Sequence, residues 1–255
     1  TVFKLEIVIL TSNKGCIVKR IFTLLTVMGL STAVWADADW DYTQPEQWST
    51  LSQKYSACNG LNQSPINIER TVKAELEPLK FSYNTMIHAI ENKGHTVQVD
   101  FAQGGELQLD GDTFVLKQFH LHSPSENLIK DKSYPLEIHF VHANAKGELA
   151  VVGMMFEQGA ESQMLKRMWN RLPKKQGEKV VLKTPQPVNA MLPKNLDYYR
   201  FSGSLTTPPC WEGVRWLILK DIQQASAKQI SEFAKLMGHP NNRPLQSLNG
   251  RVVLE

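Results

Sequence analysis

From about residue 80 onward the chain is a series of short runs in which apolar and polar side chains alternate, separated by tight-turn signals. Alternation with period two sends successive side chains to opposite faces, so a chain made of many such runs has to fold as a sheet. Val97–Phe101 and 107–109 alternate cleanly, with Gly104-Gly105 and Asp110-Gly111 as turns. Residues 114–122 and 136–142 are further strand candidates, and 144–147 turn the chain into 149–156. Runs joined by so few residues predict largely antiparallel pairing. Helical spacing is confined to two stretches. In 161–172, Met164, Leu165, Met168 and Trp169 share one side; in 226–237, Ser226 reads as the N-cap and Gly238 as the stop. Residues 40–70, rich in Trp, Asn, Gln and Pro, predict an irregular packed segment. No repeat or Gly/Ser-rich linker interrupts the rest, so 37–255 reads as one β-rich domain with a few surface helices.

The front of the chain differs. Lys14, Lys19 and Arg20 precede an uncharged run over 21–34, followed by Val34-Trp35-Ala36 as small-residue cleavage chemistry. A run of that length suits a secretory signal and falls short of the roughly 20 residues a spanning helix needs. Residues 1–36 are therefore expected to be a signal region, with an uncleaved anchor as the alternative. The mature protein is expected outside the cytosol, periplasmic or extracellular, without membrane insertion. Residues 1–36 carry four of the 28 basic residues and one of the 25 acidic ones, leaving 24 of each. A balanced chain offers no basic field to nucleic acid or anionic lipid, and a small molecule is the expected partner. The sequence leaves the oligomeric state open, a homodimer included. Cys16 leaves with the signal, so Cys58 and Cys210 remain as an even pair. In an exported protein such a pair is expected to form a disulfide, two buried thiols being the alternative.

The run Gln118-Phe119-His120-Leu121-His122 carries the chemistry. On a strand, Gln118, His120 and His122 share one face while Phe119 and Leu121 point into apolar packing. Two imidazoles so placed can grip one ion, and Glu137-Ile138-His139-Phe140-Val141 supplies a third with matching parity. Three neutral nitrogens leave a fourth tetrahedral position open, the arrangement of a catalytic zinc site. Imidazole also suits copper and nickel, and a bare His-x-His face can be polar surface without metal. Gln118 and Glu137 each stand two residues before a histidine on the same face, where they could fix a ring orientation. His88, His142 and His239 lack such a pattern and read as packing or surface residues.

These histidine runs, together with Trp40-Asp41-Tyr42, Asn62-Gln63-Ser64-Pro65-Ile66-Asn67-Ile68, Ser204-Leu205-Thr206-Thr207-Pro208-Pro209 and Asn241-Asn242-Arg243-Pro244, resemble the α-carbonic anhydrase family in order and over nearly the whole of 37–255. Ser123-Pro124-Ser125-Glu126 and Cys210 directly after Pro-Pro resemble bacterial members. The resemblance implies a single domain, mainly β (α+β), on a central twisted, mostly antiparallel sheet of about ten strands. It implies zinc held by His120, His122 and His139, and reversible hydration of carbon dioxide by attack of zinc-bound hydroxide. Thr206 would orient that hydroxide while donating its own proton to Glu126. Thr207 would help hold bicarbonate, and Val141, Val151, Leu205 and Trp216 would form the apolar wall for carbon dioxide. His95 matches the family's proton-shuttle position and Tyr42 is retained, whereas Lys93 and Gln98 replace asparagines of animal members along the proton path. Cys58 and Cys210 fall where bacterial members carry a disulfide. The rival reading is a related binding module that has lost catalysis; such a module would usually have lost a histidine or Thr206.

Overall fold

Alternating runs joined by tight turns have to pair with their neighbours, and they do. The computed structural model describes residues 39–102, 105–187 and 191–255, with the side chains of 183–187 left aside. The expected signal region and the first half of the Gly104-Gly105 turn lie outside the described residues. The strands are β1 (Asn67–Ile68), β2 (Lys80–Tyr83), β3 (Met86–Asn92), β4 (Val97–Phe101), β5 (Gly105–Leu109), β6 (Asp112–His122) and β7 (Leu128–Ile129). They continue with β8 (Leu136–Ala143), β9 (Leu149–Gln158), β10 (Lys179–Pro187), β11 (Tyr198–Ser204), β12 (Glu212–Leu219) and β13 (Gln223–Ala225).

Eleven strands form one mixed sheet, ordered β10-β3-β4-β6-β8-β9-β12-β11 along its main path. The hairpin strand β5 joins β6 and carries β2, while β13 lies beside β9. Pairing is antiparallel except where β9 meets β12 and β13. The β5–β6 turn uses Asp110 at φ 54° and Gly111 at φ 79°. Two successive left-handed residues match the twist of paired strands, which is why Asp-Gly closes a hairpin here. β1 and β7 form a separate parallel pair.

Helices are few. The 40–70 segment is less irregular than its composition predicts: it folds into 3-10 turns Pro45–Gln47 and Gln53–Asn59 around the short helix α1 (Trp48–Leu51). Within the predicted 161–172 helix, only α2 (Gln163–Trp169) forms. Ser162 caps its start by accepting from the Leu165 N–H, and Pro173 disfavours helical backbone at Leu172. The second helix, α3 (Ala227–Met237), matches its expected ends. Ser226 and Gln229 form a reciprocal capping box, and Gly238 closes the helix at φ 75°.

The sheet separates two apolar layers. One holds Phe119, Leu121, Ile138, Phe140, Val152 and Leu217, covered by Leu165, Met168 and Phe233 of the helices. The other holds Val151, Met155, Phe201, Val214, Trp216 and Ile218. β9 is buried on both faces through most of its length, as a central strand must be. The first layer is the floor beneath the histidines. Phe119 and Leu121 are anchored in it, so His120 and His122 must face the opposite side.

Candidate metal centre

Strand pairing completes what parity began. In the β6–β8 ladder His120 lies directly opposite His139 and His122 opposite Glu137. Directly opposed side chains on one face stand within roughly 5 Å of each other at Cβ. One potential ligand atom from each of His120, His122 and His139 lies within 4.8 Å of the others. His122 and His139 are buried, and His120 is partly exposed.

Two of the rings are held by a hydrogen-bond partner and the third faces a carboxylate. Nδ1 of His120 lies 2.9 Å from Oε1 of Gln118, two residues back on the same face. Nδ1 of His122 lies 2.7 Å from the backbone carbonyl of Asn241. Nε2 of His139 lies 2.8 Å from Oε1 of Glu137, close but away from the ideal N–H direction. These partners leave Nε2 of His120, Nε2 of His122 and Nδ1 of His139 for a shared ion. Burial lowers the pKa of all three imidazoles, so they are neutral donors at neutral pH. Nε2 of His122 is buried with no hydrogen-bond partner among the described residues, as expected of a nitrogen reserved for a metal. Three neutral imidazoles beside two buried carboxylates fit a zinc ion.

Those carboxylates are Glu137 and Glu126. Glu137 does more than face His139. Its Oε2 accepts from the backbone N–H groups of Glu126 and Asn127 at 2.7 and 2.9 Å, and its Oε1 accepts from Nδ2 of Asn127 at 2.9 Å. It therefore anchors the loop that carries Glu126. Gly153, opposite His139 on β9, gives it room: a Cβ there would come within 3.1 Å of Glu137 Oε1 and 2.5 Å of Ile218 Cδ1. Glu126 is 1% exposed; its Oε1 accepts from the Arg243 backbone N–H at 2.9 Å, and its Oε2 lies 3.5 Å from His122 Nε2. Burial pushes the Glu126 carboxyl well up, against hydrogen bonds from Thr206 and Arg243 that favour the charged form. A dication on the histidines would oppose that rise.

Thr206 is buried, and its side chain favours the charged form of the Glu126 carboxyl. Its loop is tied down at Cys210. Cys210 N–H donates to the Thr207 carbonyl at 2.8 Å, and Cys58 and Cys210 form a disulfide of 2.05 Å. The apolar residues named with it form a row across the sheet: Val141 pairs with Val151, and Val151 with Trp216. The Trp216 ring meets His139 edge-on at 4.8 Å, and Leu205 packs against the same cluster.

His95 stands farther out, in a cavity of about 860 Å³ also lined by Trp40, Lys93, Pro208, Pro209 and Trp211. Its ring packs on Trp40 at 4.6 Å. Burial is the main cause of a pKa pulled down to about 4, with His122 and Lys93 adding to it. Lys93 Nζ pairs with Glu91 at 2.7 Å, and Gln98 Nε2 donates to Asp100 at 2.7 Å. The Tyr42 hydroxyl is buried without a partner among the described residues. Of the remaining histidines, His88 and His239 are exposed. His142 is buried, with Nε2 2.6 Å from the Tyr83 hydroxyl, and belongs to the packing. Asn241, Arg243, Asn127 and Gly153 escape sequence reasoning as contributors to the site. Asn241 and Arg243 sit in a recognised motif, but nothing local says that they reach residues 117 and more positions away.

Residues 43–255 match the family described as eukaryotic-type carbonic anhydrase. A carbonic anhydrase of Pectobacterium carotovorum is 45% identical over 92% of this chain and 98% of its own length. The α-carbonic anhydrase of Thermovibrio ammonificans, solved with the inhibitor sulfanilamide, superposes with a TM-score of 0.84 at 43% identity, covering 86% of this chain and all of that one. That of Photobacterium profundum gives 0.81 at 45% identity, over 85% of this chain and 100% of its own.

Proposed function

The chain belongs to the α-carbonic anhydrase family, and from that membership we infer how its own residues divide the reversible hydration of carbon dioxide to bicarbonate and a proton. The enzyme is zinc-dependent. The observation that carries the reading is the convergence of three imidazoles beside the buried Glu126 carboxylate, whose charged form Thr206 favours. Stopped-flow hydration assays test it: activity should vanish on zinc chelation and return with added zinc, and a zinc-loaded protein without activity would refute it.

When bound by His120, His122 and His139, zinc supplies the Lewis acidity that generates a nucleophile from water at neutral pH, an established property of carbonic anhydrases. The chain's residues do the rest. With its proton committed to the Glu126 carboxylate, the Thr206 hydroxyl can only accept on its other side. It thereby turns the nucleophile's lone pair toward the carbon. Val141, Val151, Leu205 and Trp216 hold a neutral, linear substrate by dispersion and keep competing polar groups away. Thr207 would hold bicarbonate. Thr206→Ala should keep zinc but lower kcat/KM by about 10²–10³, the usual cost of one preorganised interaction. An unchanged rate would reject the role.

His95 is the proposed proton acceptor at the cavity mouth. A pKa of about 4 makes transfer from a donor near neutrality uphill, so the relay is a weak one. His95→Ala should lower kcat by no more than about threefold in dilute buffer and leave kcat/KM unchanged, since only kcat contains proton export. Imidazole buffer should raise kcat of both proteins. A much larger loss in the variant would mean that hydration of the working site restores the basicity of His95. Export to an oxidising compartment is supported by the disulfide together with the basic and apolar composition of residues 1–36.

A further inference from the structure

Arg243 is 2% exposed, yet no carboxylate lies within ion-pair distance of its side chain among the described residues. Its guanidinium is held by neutral acceptors. Nη1 donates to Gln63 Oε1 and the Ser64 carbonyl, both at 2.8 Å, and Nη2 donates to the Cys58 carbonyl at 2.9 Å. Nε has no partner among the described residues, and the Trp48 ring lies 5.5 Å from the guanidinium carbon. Burying a cation this way costs stability, and an apolar side chain of similar volume would fill the space at less cost. Packing therefore does not account for Arg243.

The position of its main chain does. The Arg243 backbone N–H holds Oε1 of Glu126, and Glu126 and the guanidinium attract each other. The same guanidinium grips Gln63, whose Nε2 donates to the Cys210 carbonyl at 3.1 Å, four residues beyond Thr206. One residue, through its backbone N–H and its guanidinium, thus ties together the segment at 58–64, the Thr206 loop and the carboxylate that receives the Thr206 proton. We propose that Arg243 is a positioning residue for catalysis, clamping Glu126 and the Thr206 loop in register so that the Thr206 hydroxyl points one way only. The inference rests on the role given above to Thr206.

Arg243→Gln and Arg243→Lys, each in wild-type and Thr206→Ala backgrounds, test it by zinc content and kcat/KM for hydration. Arg243→Gln should retain full zinc and lower kcat/KM at least about tenfold, less than loss of the hydroxyl itself. Arg243→Lys should recover part of that loss. In the Thr206→Ala background neither change should cost anything further, because the group being positioned is gone. A purely structural residue would give losses that add. Additive losses, or an unaffected Arg243→Gln, overturn the proposal while leaving Thr206 in its role; an unaffected Thr206→Ala overturns both. Should Arg243→Gln not fold, Gln63→Met removes one arm of the same clamp. It should lower kcat/KM only when Thr206 is present, and an equal loss in both backgrounds overturns the clamp.

Discussion

His122→Ala should leave the protein with well under one zinc per chain after dialysis and with no more than about a hundredth of its hydration activity. Changing a residue that merely orients a zinc ligand typically costs about 10–100-fold in affinity, and losing a ligand costs more. His122 is also the best-anchored of the three rings. It is fully buried, tied through Nδ1 to Asn241, and opposite Glu137 in the ladder. Of the other imidazoles among the described residues, His142 is engaged with Tyr83, His95 packs on Trp40 in the outer cavity, and His88 and His239 are on the surface. Gln118→Ala is the calibrating control: it removes only the 2.9 Å contact that orients His120 and should fall within the 10–100-fold range. Metal analysis by mass spectrometry decides the matter. Full zinc in His122→Ala would show that the ligand set is wrong.

Reduction of the Cys58–Cys210 bridge should produce the largest stability change of any single bond. The two residues are 152 positions apart, so the bridge closes most of the domain into one loop in the unfolded chain. The chain-entropy relation gives about 5 kcal/mol for a loop of that length, an upper figure because denatured chains are already compact. For a domain of this size the melting midpoint should drop by roughly 10–15 °C. Calorimetry of oxidised and reduced protein, with thiols counted in each, measures it. A drop below about 2 °C in fully reduced protein would mean that the bridge is a local fastening with little effect on the unfolded ensemble.

The parts of this molecule that were legible in its sequence are those that depend on alternation. Gln118, His120 and His122 could be placed on one face because Phe119 and Leu121 are apolar, and the same holds for His139 between Ile138 and Phe140. Register was not legible. Parity says that His139 faces the right way, but only the pairing of β6 with β8 puts it opposite His120. The sheet is larger than the strands identified individually. β11 and β12 mix Arg200, Arg215 and several aromatics into their runs, which blurs the two-residue period. Alternation links Glu137 to His139 alone, because it reports on neighbours along a strand and is silent on the loop that Glu137 anchors at Glu126 and Asn127. Knowledge of the family supplied Glu126 and Thr206. Nothing in the chain's own pattern links residues 80 positions apart.

The Asn241 carbonyl and the Arg243 N–H close the site from 119 and 117 positions beyond His122 and Glu126. A polypeptide delivered from its N-terminus, whether by a ribosome or by a translocation pore, presents all three histidines and Thr206 long before these two residues arrive. Contacts this distant in sequence form late and slowly. A nascent or truncated chain ending before 241 would carry the three histidines without the contact that orients His122 or the one that holds Glu126. Docking of the 241–243 segment is thus built into the reaction as a condition.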